Sequence, residues 1–308
     1  MNPAEFEVAV VGGGIAGLTA AWHAAQNGAR VIVFAGQDLP GGLVANIGVL
    51  EGFPATTPTA GLALAEKLQS EAKALGASIE FHAVERLSAS GRGFALHAAN
   101  RDWRAAKVIA ATGARLKALD VPGAEHFRDR GVLQCAWCNA GLFRGRSVVV
   151  VGAGDAAFQE AAHLAHNGAR VTMIMRGEQV RARRALLERV AGDETVQLRW
   201  SSEVTAIQGD AHLTGIELRD LASGTTETLA CDAVFPYIGL APNSQWLGEH
   251  VLRSPAGAVV TDATMRSRTA GLYAIGALRE GYRGRLTDAL GEASTAAAAV
   301  CTELDALR

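Results

Sequence analysis

Two of the four cysteines in the 308-residue chain, Cys135 and Cys138, are separated only by Ala136 and Trp137. Two intervening residues let both sulfurs meet within one turn. The pair can therefore hold a disulfide, and exchange with another disulfide runs through a thiolate on one of them. A structural zinc is the competing chemistry. It needs two further ligands, usually a second CxxC or paired histidines, whereas Cys231 and Cys301 stand far from the pair and from each other. No metal is expected. Two buried, unreactive cysteines are the remaining alternative.

Redox sulfur needs a source of electrons, and the flanking stretches point to one. Glu7 to Val11 reads as a short apolar strand. It leads into Gly12-Gly13-Gly14-Ile15-Ala16-Gly17, then an alanine-rich helix to about Gln26, then a second strand from Ala29 to Phe34. In a strand–GxGxxG–helix–strand unit, Gly12 permits the tight turn, Gly14 lets a pyrophosphate approach the backbone and Gly17 lets helix and strand pack closely. The free N–H groups of the helix start attract the phosphate charge. The acidic ribose partner expected after the second strand is absent from Phe34-Ala35-Gly36, and Asp38 is its nearest substitute.

The unit recurs. Ser147 to Val151 is a strong strand, Gly152-Ala153-Gly154-Asp155-Ala156-Ala157 opens a helix, and Val171 to Met175 follows as a strand. Asn27-Gly28-Ala29-Arg30-Val31 returns as Asn167-Gly168-Ala169-Arg170-Val171. A solenoid needs several short repeats, so two long copies mean two dinucleotide-binding domains, with the CxxC just ahead of the second. Further strands are expected at 107–111, 215–219, 232–238 and 271–275, with a helix over 60–75 and a small-residue closing helix over about 293–307. A net charge of −2 gives no basic excess for nucleic acid. No long apolar run suggests a membrane span, and no basic leader precedes the first strand, so a cytoplasmic protein is expected.

These motifs, in this order, resemble the low-molecular-weight thioredoxin reductase family over nearly the whole chain. The resemblance rests on the first GxGxxG, Ala111-Thr112-Gly113, the CxxC, the second GxGxxA ending at Ala157, the strand closing at Gly239 ahead of Pro242-Asn243, and the late strand closing at Gly276. It implies an α/β fold of two Rossmann-like, three-layer ββα domains, the second inserted into the first. Residues 1–117 and 245–308 would bind FAD, and residues 118–244 would bind NADPH and carry the CxxC. It also implies a homodimer whose NADPH domain rotates. Cys138 would lie against the flavin, and Cys135 would attack the disulfide of a thioredoxin-like protein or a small molecule. Flavin-side residues would include Gly41, Gly42, Thr112, Gly113 and Gly276, and the nicotinamide nucleotide would take Gly152, Gly154, Arg176 and Arg181.

Departures from the family pattern gather at polar contacts. The acid–base Asp after the second cysteine is Asn139, which cannot transfer a proton at neutral pH. Leu43 replaces a glutamine after Gly41-Gly42, Gly52 replaces an asparagine before Phe53-Pro54, and Ala277 replaces the aspartate that holds the ribityl chain. Arg285 falls near the flavin ring and would either stabilise an anionic reduced flavin or be a solvated surface arginine. The run from Arg181 to Arg184 is either part of a 2′-phosphate site or a solvated helix face. Trp137 either is a core filler for the domain interface or stacks on a small substrate. Three readings of function follow: an NADPH-driven disulfide reductase, a dithiol oxidase passing electrons to oxygen (or a ferredoxin-fed variant), and a redox-inactive flavin-binding relative.

Overall fold

The computed structural model describes residues 5–36, 39–50, 59–91 and 93–306. Asp38, Gly52 and Phe53-Pro54 lie outside the described residues. The chain forms two compact units, one of Met1–Arg115 with Ala241–Arg308 and one of Leu116–Leu240.

The first unit opens with β1 (Phe6–Val11), α1 (Ile15–Gln26) and β2 (Val31–Phe34). The last four residues of β1 and all of β2 are buried, as suits valine- and isoleucine-rich strands of a parallel sheet covered on both faces. Then come α2 (Gly61–Ala74), β3 (Ser78–Glu80), β4 (Arg86–Ser90), β5 (Gly93–Ala98) and β6 (Arg101–Ala110). The sheet order is β3-β2-β1-β6-β5-β4. The strands β1, β2, β3 and β6 run parallel, while β4 and β5 join through antiparallel pairs.

After β7 (Ala114–Leu116), the second unit repeats the plan. It holds the four-residue helix α3 (Ala136–Asn139), β8 (Ser147–Val151), α4 (Asp155–His166), β9 (Arg170–Ile174), α5 (Arg184–Ala191) and β10 (Val196–Arg199). An antiparallel meander follows, made of β11 (Ser202–Gly209), β12 (Leu213–Asp220) and β13 (Thr226–Ala230), and then β14 (Ala233–Pro236). The parallel sheet has the order β10-β9-β8-β14. The returning strand β15 (Leu240–Pro242) pairs with β7, so the two connections between the units run side by side.

Back in the first unit, β16 (Leu272–Ala274) joins the sheet beside the last three residues of β6, and α6 (Leu286–Asp305) closes the chain. Here the structure departs from the sequence expectation: α6 starts at Leu286, seven residues before the small-residue run suggested. The polar residues Asp288 and Glu292 sit within it. Glu292 is only 8% exposed and faces inward. Its carboxylate accepts the Gly276 N–H at 2.7 Å and the Arg279 guanidinium at 2.6 Å. The alanine faces of α1 and α6 pack together in the core of this unit, through Ala20, Ala21 and Ala24 on one side and Ala293, Ala296 and Ala297 on the other. Side chains this small let the helices approach closely. Removing one partner of a buried ion pair strands the other. Glu292→Ala should therefore cost about 3 kcal/mol of stability, seen as a lower urea midpoint, and Glu292→Gln should cost less because it keeps an acceptor for Gly276.

Candidate active site

Cys135 and Cys138 form a disulfide, with their Cα atoms 5.3 Å apart. Cys135 caps α3, and each amide in the first turn of that helix has its own acceptor. The Ala136 N–H donates to Tyr237 Oη at 3.1 Å, the Trp137 N–H to Glu160 Oε2 at 3.1 Å, and the Cys138 N–H to Cys135 Sγ at 3.1 Å. Asn139 turns back, its Nδ2 donating to the Cys135 carbonyl at 2.7 Å. In place of an acid–base group, then, this position holds a lock on the turn. The indole of Trp137 is 44% exposed and stacks on His163 of α4, with ring centroids 4.1 Å apart.

Three ionisable groups surround this turn. Burial pushes the Glu160 carboxyl up to about 7, against a smaller lowering by the Trp137 amide. Tyr237 is raised, first by burial and then by the Glu160 charge. His163 is lowered by burial and by His166. None of the three is signalled by a local motif. Glu160 and Trp137 stand far apart in sequence, and only the packing of α3 across α4 joins them. Cys231 lies in the core of the same unit, its thiol pushed up to about 12 by burial, which leaves it protonated and inert at neutral pH.

The two glycine fingerprints build matching cradles. Gly12 has φ of +126° and passes so close to the end of β6 that a Cβ would lie 2.2 Å from the Ala111 oxygen. Gly152, at φ of +145°, would place a Cβ 2.4 Å from the Tyr237 oxygen. At the helix caps the reverse holds. A Cβ on Gly154 would meet nothing within 4 Å, and one on Gly14 only the Gly41 oxygen at 3.9 Å. Neither helix has a side-chain cap. Open space over uncapped amides fits a pyrophosphate in each unit.

The remaining candidates fall into two groups. In the first unit, Gly41 pairs with Gly14 and donates its N–H to the Gly13 oxygen at 2.8 Å, and Gly42 begins the short helical turn that follows. A Cβ on Gly17 would lie 2.0 Å from the Gly12 oxygen, and one on Gly276 3.1 Å from Ala16. Thr112 and Gly113 are clamped by Asn243: Thr112 Oγ1 donates to the Asn243 carbonyl at 2.8 Å, and Asn243 N–H to the Gly113 carbonyl at 2.9 Å. The structure thus gathers Gly12, Gly14, Gly17, Gly41, Gly42, Thr112, Gly113, Gly276 and Ala277 at one end of the sheet, whereas Arg285 is exposed at the start of α6. In the second unit, Ala157 is fully buried against Gly152. Arg181 donates its N–H to the Ala153 oxygen at 2.9 Å, and Arg176 follows β9; both side chains are exposed. The basic run divides here. Arg183 is bound to Asp155 at 2.8 Å and Arg184 to Glu188 at 2.6 Å.

Two nucleotide folds, with a disulfide at the start of a helix in one of them, define an oxidoreductase that works on disulfides. The model of the pyridine nucleotide-disulphide oxidoreductases matches residues 6–299, and the chain belongs to that family. A thioredoxin reductase of Treponema pallidum is 34% identical over 305 residues, covering 99% of each chain. That of Listeria monocytogenes is 31% identical over 293 residues, covering 94% of this chain and 91% of the relative. Among solved structures, the thioredoxin reductase of Lactococcus lactis in its FR conformation superimposes with a TM-score of 0.93 at 27% identity, covering 97% of this chain and all of the other. FAD and NADPH are the cofactors of this class, and the cradles around Gly14 and Gly154 fit them. Among the described residues no helix is long and apolar enough to cross a membrane.

Two glycines of the first fingerprint should respond differently to alanine. Gly14→Ala has room in the protein but fills the approach of the pyrophosphate. It should keep the stability of the apoprotein while weakening flavin binding about tenfold or more, measured by flavin retention on dialysis. Gly17→Ala drives a methyl into the Gly12 carbonyl and should lose about 1–3 kcal/mol before any cofactor is added.

Proposed function

We propose that the protein is a thioredoxin reductase-like enzyme that passes electrons from NADPH, through FAD and the Cys135–Cys138 pair, to the disulfide of a thioredoxin-like partner, as a cytoplasmic homodimer. The observation that carries the reading is the Cys135–Cys138 disulfide on α3, held in a nucleotide-binding unit. The names and full-length coverage of the relatives support the choice of partner. When bound, the flavin and the nicotinamide supply the hydride and electron-pair transfer that amino acids cannot.

The residues of the chain do the rest. The amide at Cys135 Sγ stabilises negative charge there, which makes Cys135 the attacking thiolate on the partner disulfide. Cys138 then displaces the partner by re-forming the bond to Cys135. Asn139 holds the turn closed, so the second sulfur stays within reach of the first. Arg176 and Arg181 hold the 2′-phosphate of NADPH, because their neighbours Arg183 and Arg184 are already occupied by carboxylates.

Anaerobic NADPH should bleach the bound flavin, and adding an oxidised thioredoxin should restore its colour. Flavin that stays oxidised under NADPH would overturn the reading. Replacing Arg176 and Arg181 together by Ala should raise KM for NADPH about tenfold or more and leave KM for NADH little changed. The exposed face of Trp137 beside the disulfide favours a second reading, a small-molecule dithiol as substrate. Oxygen uptake with a dithiol and no NADPH would select it.

A further inference from the structure

Glu160 takes no part in the exchange just described, yet its carboxyl is bonded directly to the redox turn. It sits on the face of α4 over which α3 lies, half-buried, and among the described residues its one hydrogen bond is the one it accepts from the Trp137 N–H, between the two cysteines. Among the described residues no basic side chain forms an ion pair with it. Among the described residues, the groups around it offer no compensating charge. Asn139 and Trp137 are neutral, and the Tyr237 hydroxyl stays protonated because burial and Glu160 both raise it. His163, one turn further along α4, is shifted toward its neutral form by burial and by His166. At the start of the helix Asp155 and Arg183 neutralise each other.

We propose that Glu160 sets the charge of the Cys135–Cys138 couple: its carboxyl binds a proton when the disulfide opens to a thiol and a thiolate, and releases it when the disulfide re-forms. Glu160 acts through the turn it holds, as a positioning residue, and the inference rests on the reading that the pair is redox-active. The balance is as follows. Opening breaks the S–S bond and takes two electrons. One sulfur receives a proton from solvent and becomes a thiol, and the other keeps an electron pair as thiolate. A carboxylate bonded to the same turn repels that new negative charge, so it takes a second proton from solvent. On re-oxidation by a partner disulfide, the two electrons leave with the exchanging sulfurs, the thiol gives up its proton, and Glu160 returns its own to water.

The sign of the effect follows. Where Glu160 is neutral it does not oppose the thiolate; where it is ionised it makes the disulfide harder to reduce. Because burial places its titration at about 7, the change falls between pH 6 and 8. The test uses the full-length, flavin-loaded protein and Glu160→Gln, which keeps an acceptor for Trp137 but never ionises. Each is equilibrated anaerobically in dithiothreitol redox buffers from pH 5.5 to 8.5 and trapped by alkylation. The fraction of Cys135–Cys138 reduced is then read by mass. The two proteins should share one equilibrium constant below pH 6. By pH 8 the wild type should be roughly tenfold harder to reduce than the variant. Glu160→Asp, which keeps the charge, should restore a pH-dependent difference from Glu160→Gln. A ratio between wild type and Glu160→Gln that stays constant across the whole range would overturn the proposal, as would an Asp variant that tracks the Gln variant. Neither measurement uses NADPH, so failure of the NADPH reading would leave this result standing, and the reverse.

Discussion

Three backbone amides hold the disulfide in place. At the start of α3, Ala136, Trp137 and Cys138 each donate to a different side chain, from the segment after β14, from α4 and from Cys135 itself. A four-residue helix has no stability of its own. Its position is decided by these acceptors and by the burial of Ala136, which is completely enclosed. Tyr237 ties the redox turn to the nucleotide cradle. Its hydroxyl receives Ala136, and its carbonyl is the atom that forbids a side chain at Gly152. The same backbone segment therefore closes the second fingerprint and carries the anchor of the CxxC.

The two units use one plan with different tolerances. In the first, helix and strand come so close that even a methyl at Gly17 would strike the Gly12 carbonyl. In the second, Ala157 takes the equivalent place, and its methyl sits where Gly152 has left space. The helix starts differ too. The first turn of α1 carries no acid, whereas α4 begins with Asp155, whose carboxylate is taken up by Arg183. That pairing keeps an anion from opposing a phosphate at the helix start, and it leaves Arg181, tied to the fingerprint by its backbone, as a nearby cation with its side chain in solvent.

Much of this was legible beforehand. The strands β1, β2, β8 and β9 and the last residues of β6 announce themselves as apolar runs that lead into glycine-rich turns or small residues, whereas the polar first half of β6 is not foreseen, and the repeat shows that the plan occurs twice. What escaped were side chains whose meaning depends on distant partners. The sequence expectation starts the closing helix at about residue 293 and passes over the polar residues before it, yet Glu292 among them is a buried acceptor for Gly276 and Arg279. Asn139 reads as the loss of a proton carrier and proves to be a lock on its own turn. Glu160 carries no motif of its own and is not singled out in the sequence.

By itself, the sequence determined the α/β class, the two glycine cradles and the redox pair. Each of these depends on neighbours within a few residues: a turn that admits no side chain, a helix start, two sulfurs within one turn. Only the tertiary structure decided what surrounds the pair, which arginines of the basic run are already occupied, and which carboxyl sits near neutrality. Those properties come from burial and from contacts between residues far apart in the chain. Desolvation, which lifts the Glu160 carboxyl to about 7, exists only once the fold has excluded water from around it.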